Sequence, residues 1–159
     1  MIFVTLGTQH QRFDRLFDYI NKMPSQEKII IQKGNAKYNI TKKAEVYDYL
    51  KYEKQENYIK KADIVIAHGG GGTIFKALEL KKKVIVVPRK AKYKEHINDH
   101  QIEFCKYLRK ENLCLVAETE EEFFECIKKI HTHKFKTYKS NPEKFIKNIE
   151  KEINKLLEV

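Results

Sequence analysis

Short apolar runs alternate with helical patterns along this 159-residue chain, and the alternation predicts an α/β fold, a Rossmann-like parallel sheet with helices on both faces. The apolar runs are rich in β-branched residues, as in Ile29 to Ile31 and Ile64 to Ile66, which is typical of central parallel strands. The segments between them carry apolar residues at helical spacing, as at Leu16, Phe17 and Ile20. In such folds ligands bind where strands end and helices begin.

Each predicted strand is a short apolar run, and most are followed by glycine or proline, which interrupt regular structure. In chain order the runs are Ile2 to Leu6 before Gly7, Lys28 to Gln32 before Gly34, Ala44 to Leu50, Asp63 to Ala67 before a run of glycines, Val84 to Val87 before Pro88, and Leu113 to Ala117.

The predicted helices lie between these strands. They are the segment from Phe13 until Pro24, then Gln55 to Lys61, Thr73 to Lys82, His96 to Lys110 with Ile97, Phe104 and Leu108 facing inward, and Thr119 to Ile130. Thr119 with Glu122 forms a capping box. Asn141 and Pro142 open a final amphipathic helix to about Leu157. We expect residues 1–130 to form the domain, and residues 131–159 a polar connection and a helix that packs on the domain or on a partner.

Composition bounds the class of protein. With 42% hydrophobic and 34% charged residues, the chain is expected to be a soluble globular domain. It has no apolar run of the roughly 20 residues that a membrane-spanning helix needs, and its first residues do not resemble a secretion signal. Its three cysteines form no CxxC pair, which favours reduced thiols in a cytosolic protein.

The formal net charge of +10 leaves several partners open. Nucleic acid, an anionic membrane surface, and an acidic small molecule or protein all attract such a chain, and a lysine-rich surface can also simply be solvated. Tyrosine and phenylalanine do not interleave with basic residues as in a nucleic-acid stacking platform. We therefore expect no nucleic-acid partner.

The glycine run at residues 69–72 carries the clearest functional signal. It lies between His68 and Thr73, after the predicted central strand and before a helix. Glycines let a backbone approach a ligand closely, and a helix N-terminus offers free N–H groups and the positive end of its dipole to an anion. Thr73 could cap the helix or bind phosphate, and His68 could donate to the same anion. Because a tight turn needs only two glycines, the sequence favours a phosphate site.

Three segments in this order resemble one family. They are VTLGTQ with FDRL at residues 4–16, IVIAHGGGGT at 64–73, and VIVVPR with KEHINDHQ at 84–101. There is no GxxxxGK motif of a P-loop, and the turn after the first strand is not GxGxxG. The segments resemble the C-terminal half of MurG-type glycosyltransferases. More closely, they are similar to stand-alone PssE-type bacterial subunits of polysaccharide synthesis and to the soluble subunit of the dolichol-linked N-acetylglucosaminyltransferase.

The resemblance implies a GT-B glycosyltransferase split over two chains. This chain would bind a UDP-sugar, and a membrane-anchored PssD-like subunit would supply the acceptor site for a lipid-diphosphate-linked saccharide in capsular or exopolysaccharide synthesis. Transfer of the hexose or N-acetylhexosamine would invert the anomeric centre without metal or other cofactor. The complex would lie in the cytoplasm at the inner face of the cell membrane. The alternative is a non-catalytic accessory subunit that enhances or stabilises a partner transferase.

The resemblance also implies the binding residues. They are Gly7, Thr8 and Gln9 near the diphosphate, His68, Gly69, Gly70, Gly71, Gly72 and Thr73 around it, and Asp99, His100 and Gln101 near the donor sugar or nucleotide edge. From the residues alone, Arg89 could pair with the diphosphate or with lipid headgroups, or lie in a solvated loop, and His96 is a further candidate at the donor site. His10 is a candidate general base, although the base could lie in the partner chain or His10 could be a polar loop residue.

For three positions the sequence leaves more than one role open. Many relatives have a glutamate that binds the ribose hydroxyls three residues after the Ser or Thr, but this chain has Lys76 there. Either another residue binds the ribose, such as Glu79 one helical turn further on, or the nucleotide site is altered. His96 and His100 have the spacing of a metal pair, but without an evident third ligand a donor-site or surface role is favoured.

Overall fold

The computed structural model describes residues 1–37, 41 and 43–140, so the predicted final helix lies outside the described residues. Within them, six strands form one parallel sheet in the order β3-β2-β1-β4-β5-β6. The strands are β1 (Ile2–Thr5), β2 (Ile29–Gln32), β3 (Ala44–Tyr47), β4 (Ile64–His68), β5 (Lys83–Val87) and β6 (Leu115–Val116). The predicted α/β class is confirmed.

Helices cover both faces of the sheet. They are α1 (Asp14–Lys22), α2 (Tyr52–Lys61), α3 (Gly71–Glu79), α4 (His100–Lys110) and α5 (Glu120–Lys129). On one face, Val4 of β1 belongs to a core with Phe17 of α1 and Phe123 of α5. On the other, Phe3 belongs to a core with helices α2 to α4. Successive strand residues point to opposite faces, which explains why every residue of β1 is buried.

The strand order changes direction between β1 and β4. The chain leaves β1 toward β2 on one side, and leaves β4 toward β5 on the other. Thr5 pairs with Ala67, so the two strands end at the same level and the segments that follow them meet. In open parallel sheets such a switch point forms a crevice that binds ligands.

Predicted boundaries of three helices are wrong. Helix α2 begins at Tyr52 and not at Gln55, and α3 spans Gly71–Glu79 and not Thr73 to Lys82. The largest difference, four residues, is at the start of α4. Helix α4 begins at His100 and not at His96, and Ile97, expected to face inward, is 75% exposed. Residues 91–99 form a loop that contains one turn of 3₁₀ helix. The loop is fixed by the Asp99 carboxylate, which accepts a hydrogen bond from the Ala91 N–H at 2.8 Å.

Half of the predicted capping box of α5 is confirmed, since the Thr119 hydroxyl accepts a hydrogen bond from the Glu122 N–H at 3.2 Å. The Glu122 carboxylate accepts from the N–H of Glu118 at 2.6 Å and not from that of Thr119. The connection that follows α5 has no helix or strand over residues 132–140, but it is anchored. Phe135 packs against the core that contains α1 and α5, and Tyr138 packs against the core that contains α3. The connection therefore passes from one face of the sheet to the other.

No helix of the described ranges is both long and apolar enough to cross a membrane.

Candidate functional site

The imidazole of His68 lies between the two loops that meet at the switch point. Gly7 has a φ of +76°, and a Cβ on Gly7 would lie 2.5 Å from Cε1 of His68. A Cβ on Gly70 would also collide with the ring. Both positions therefore require glycine, and the ring holds the loop after β1 against the loop after β4.

His68 is neutral at physiological pH. Burial, with the nearby charge of Arg89, lowers the pKa of His68 from 6.5 to about 4. Its Nδ1 atom is buried without a hydrogen-bond partner among the described residues. A neutral imidazole donates from only one nitrogen, so this side chain can contribute a polar contact to an anion but no positive charge.

The four glycines of residues 69–72 serve two purposes. Gly69 and Gly70 are needed for packing, since a Cβ on Gly69 would lie 2.8 Å from Cβ of Gln101. A Cβ on Gly71 would make only ordinary contacts, and one on Gly72 would have no atom within 4 Å. The first pair thus holds the loop in place, and the second pair leaves the start of α3 open.

The first turn of α3 presents free N–H groups. Its N-cap residue, Gly70, offers no side-chain oxygen to them. In the described part of the chain, no acceptor is found for the N–H groups of Gly71, Gly72 and Thr73, and none for the Thr73 hydroxyl. Helix starts usually satisfy these donors by capping. Here three backbone donors and one hydroxyl are left available at the positive end of the helix dipole.

Gln101 braces this site from α4. Its Oε1 atom accepts hydrogen bonds from the N–H of Gly69 at 3.0 Å and from the N–H of Arg89 at 3.1 Å. The side chain is 4% exposed. The oxygen therefore joins the ends of β4 and β5, and the amide nitrogen remains as the group that can donate to a ligand.

Arg89 does not have the role expected from the sequence. Only 2% of its surface is exposed, and its guanidinium donates to the carbonyl oxygens of Leu6 at 2.6 Å, Gln11 at 2.8 Å and Glu95 at 3.0 Å. Burial lowers its pKa to about 10, so it stays charged at neutral pH. Its two terminal nitrogens donate to the backbone around β1 and β5, and its Nε atom is buried without a partner in the described residues. Arg89 therefore shapes the loops and is not positioned to bind a diphosphate.

An ion pair that sequence reasoning missed holds the loop after β5. Arg15 of α1 makes two hydrogen bonds of 2.9 Å to the Glu95 carboxylate and a third to the Pro88 carbonyl oxygen. Glu95 also accepts from the Lys90 N–H at 3.0 Å. The two partners are 80 residues apart, and no local pattern in the sequence indicates such a pairing.

The other predicted site residues lie around the same edge of the sheet. Thr8 and His10 are exposed and Gln9 is half-buried in the loop after β1. His96 lies in the loop before α4 and His100 at its first residue, with their rings edge to face at 4.7 Å. They are thus not neighbours on one helix face, and the described residues hold no group of three or more metal-ligating side chains.

Lys76, the position that departs from the expected pattern, is paired with Glu56 of α2. Its Nζ atom lies 2.8 Å from Oε1 of Glu56, and Lys60 lies 3.1 Å from the same oxygen. These contacts lower the pKa of Glu56 and raise that of Lys76, so both are charged at neutral pH. Sequence reasoning missed Glu56, because only the tertiary structure brings α2 beside α3.

Comparison with known families matches residues 1–157 to the glycosyltransferase family 28 C-terminal domain. The chain belongs to this family. It is 34% identical over 122 residues to the UDP-N-acetylglucosamine--N-acetylmuramyl-(pentapeptide) pyrophosphoryl-undecaprenol N-acetylglucosamine transferase of Clostridium tetani (strain Massachusetts / E88). It is 32% identical over 124 residues to the UDP-N-acetylglucosamine transferase subunit ALG13 of Homo sapiens.

This family 28 domain matches only part of those relatives. The two alignments include 76% and 69% of this chain but 32% and 10% of the respective relatives. Among solved structures, the glycotransferase of kitacinnamycin is similar in fold, with a TM-score of 0.61, 14% identity, and coverage of 82% of this chain and 34% of that one. The predicted MurG-like family and the Rossmann-like fold of a GT-B glycosyltransferase half are thereby confirmed.

Proposed function

We propose that this chain binds the diphosphate of a UDP-sugar at the start of α3 and forms the donor-binding part of a glycosyltransferase. The observation that carries the proposal is the uncapped first turn of α3 at the switch point of the sheet, with Gly72 open to solvent and the Thr73 hydroxyl without a partner in the described residues. Such a turn fits a phosphate group through its N–H groups and its dipole. Both relatives are named for the transfer of N-acetylglucosamine from a UDP donor, which supports a UDP-sugar.

The loop after β1 completes the site in this proposal. Gly7, Thr8 and Gln9 lie across the switch point from α3, and the exposed Thr8 offers a hydroxyl to the same anion. Gln101 contributes its amide nitrogen from the side of α4. Backbone and side-chain donors in a crevice neutralise a diphosphate electrostatically, and the proposal therefore needs no metal or other cofactor.

The acceptor belongs to a second chain in this proposal. The human relative is described as a subunit, and this chain corresponds to about a third of the Clostridium transferase. We propose that a membrane-anchored PssD-like subunit holds a lipid-diphosphate-linked saccharide at the inner face of the cell membrane. Transfer would serve capsular or exopolysaccharide synthesis and invert the anomeric centre. The catalytic base would come from the partner or from His10.

Calorimetric titration of the full chain with UDP tests the donor site. We expect binding, and we expect Thr73→Ala to weaken it about tenfold or more because a hydrogen bond to a charged phosphate is lost. Thr132→Ala is the matched control, because Thr132 lies at the opposite edge of the sheet from α3's first turn. Its neighbour His131 accepts a hydrogen bond from Lys83, the first residue of β5. Absence of UDP binding by both the chain and its partner complex would exclude the donor site.

The same variants separate an enzyme subunit from an accessory subunit. In the reconstituted pair, we expect Thr73→Ala to lower the rate of sugar transfer while Thr132→Ala leaves it unchanged. Full transfer activity of the Thr73→Ala pair would show that this site is not used and would favour an accessory that enhances or stabilises its partner.

A further inference from the structure

A cleft of about 510 Å³ adjoins the open start of α3 and extends away from it along α2 and α3. It lies between α2 and α3, and its lining includes Tyr52, Glu56, Gly72, Thr73 and Lys76. Its volume is within the range of small-molecule sites. Because it begins at the free N–H groups of α3, a ligand whose phosphate sits there can extend its remaining part into the cleft.

The direction of the two helices places the polar groups of the cleft at different depths. Both helices follow strands of one parallel sheet, so both start at the edge where the strands end. Tyr52 begins α2 at this rim and is 65% exposed. Lys76 lies about 6 Å further along α3 than Gly72, given a rise of 1.5 Å per residue. Glu56, which pairs with Lys76, lies at that depth.

The carboxylate of Glu56 is suited to accept hydrogen bonds from neutral hydroxyl groups. Lys60 and Lys76 both make their shortest contact with Oε1, which leaves Oε2 as the freer acceptor. The two ammonium groups keep the carboxylate ionised and fix its position. Hydrogen bonds to an ionised acceptor are stronger than those between neutral groups, and a pair of neighbouring hydroxyls can use the two oxygens of one carboxylate.

We infer that Glu56 of α2 accepts hydrogen bonds from the ribose hydroxyls of a nucleotide that extends into this cleft, and that Lys76 positions its carboxylate. The inference rests on the proposed function, because it takes the phosphate of a nucleoside diphosphate to sit on α3. Glu56 is a specificity-determining residue for the ribose. Lys76 acts through Glu56 and is a positioning residue, while Tyr52 offers an aromatic face at the rim against which a base can stack.

Titration of the full chain with UDP, 2′,3′-dideoxyuridine diphosphate and inorganic pyrophosphate tests this role of Glu56. We expect the unmodified chain to bind UDP about tenfold or more tightly than the dideoxy analogue, because the analogue lacks both hydroxyls. Glu56→Gln should remove this preference and leave the affinity for pyrophosphate unchanged. An unchanged pyrophosphate affinity also shows that the variant is folded.

Two further variants separate Glu56 from its neighbours. Glu79 is an exposed residue of α3 whose carboxylate lines the same cleft. Glu79→Gln should therefore keep the full preference for UDP over the dideoxy analogue. Lys76→Met should reduce the preference because the carboxylate is no longer held, and Lys76→Arg, which retains the ion pair, should restore it.

Each result has a defined consequence. A Glu56→Gln chain that still prefers UDP, or a Glu79→Gln chain that loses the preference, would overturn the assignment to Glu56 while leaving the diphosphate site intact. If the unmodified chain binds neither UDP nor pyrophosphate, the proposed function fails and the role of Glu56 fails with it.

Discussion

Oε1 of Gln101 accepts a hydrogen bond from the backbone N–H of Gly69 at 3.0 Å. This contact links the start of α4 to the loop that leads into α3. The same oxygen accepts from the N–H of Arg89, so one buried amide fixes the ends of two neighbouring strands. The geometry of the candidate phosphate site therefore depends on a residue of another helix.

Replacing Gln101 tests this brace. Gln101→Ala leaves two buried N–H groups without an acceptor, and we expect it to lower the free energy of unfolding by about 2 kcal/mol or more. Gln101→Glu retains the acceptor oxygens but loses the amide donor, so it should be more stable than Gln101→Ala yet bind UDP more weakly than the unmodified chain. Chemical denaturation and calorimetry measure the two effects. Equal stability of Gln101→Ala and the unmodified chain would contradict the bracing role.

Gly7→Ala should destabilise the fold. The substitution places a Cβ 2.5 Å from the His68 ring at a φ of +76°, and strained backbone of this kind costs about 1–3 kcal/mol. We expect a lower melting temperature and a displaced imidazole, visible in the NMR spectrum of His68. A chain with an unchanged melting temperature and an unmoved His68 resonance would show that the two loops are not packed as described.

Gly72→Ala should separate stability from binding. A Cβ at this position meets no atom within 4 Å, and alanine favours a helix over glycine by up to about 1 kcal/mol. We therefore expect thermal stability to be unchanged or raised. The added methyl group would occupy the space in front of the free N–H groups, so UDP affinity should fall. Unchanged UDP affinity would place the ligand away from the first turn of α3.

The neutral state of His68 predicts a dependence of stability on pH. Its pKa is about 4 in the folded chain against an ordinary value of 6.5, so the unfolded chain binds the proton first as the pH falls. Stability is then fully present above pH 6.5 and is lost between pH 6.5 and 4, by up to about 3 kcal/mol. Denaturation of the unmodified chain and of His68→Asn over this range measures the effect. We expect a flatter profile for the variant, and identical profiles would contradict a neutral, buried imidazole.

Arg15→Met should destabilise the loop after β5. The substitution leaves the Glu95 carboxylate, 5% exposed, without its charged partner, which costs about 3 kcal/mol or more for a buried pair. Arg15→Lys keeps the charge but loses the two parallel hydrogen bonds, so its melting temperature should lie between those of Arg15→Met and the unmodified chain. The exposed pair of Lys22 and Glu120 is the matched control, and Lys22→Met should leave the melting temperature unchanged. Equal effects of Arg15→Met and Lys22→Met would contradict the bracing role of the buried pair.

The sequence by itself determined the order of strands and helices, because β-branched runs and helical spacing are local properties of the chain. It also predicts a phosphate site at residues 68–73, because a glycine run between a strand and a helix can be recognised in the sequence, and this site stays a prediction. The family resemblance then indicated MurG-type glycosyltransferases, and the comparisons bear this out.

The tertiary structure alone decided which charged residues are available to a ligand. Arg89 follows a strand just as a phosphate-binding residue would, but its guanidinium is used by the carbonyl oxygens around β1 and β5. Lys76 stands where many relatives have a glutamate, but the fold places the carboxylate of Glu56 against it. Both outcomes depend on contacts between segments distant along the chain. Such contacts form only when strands and helices pack, so no local pattern of residues encodes them.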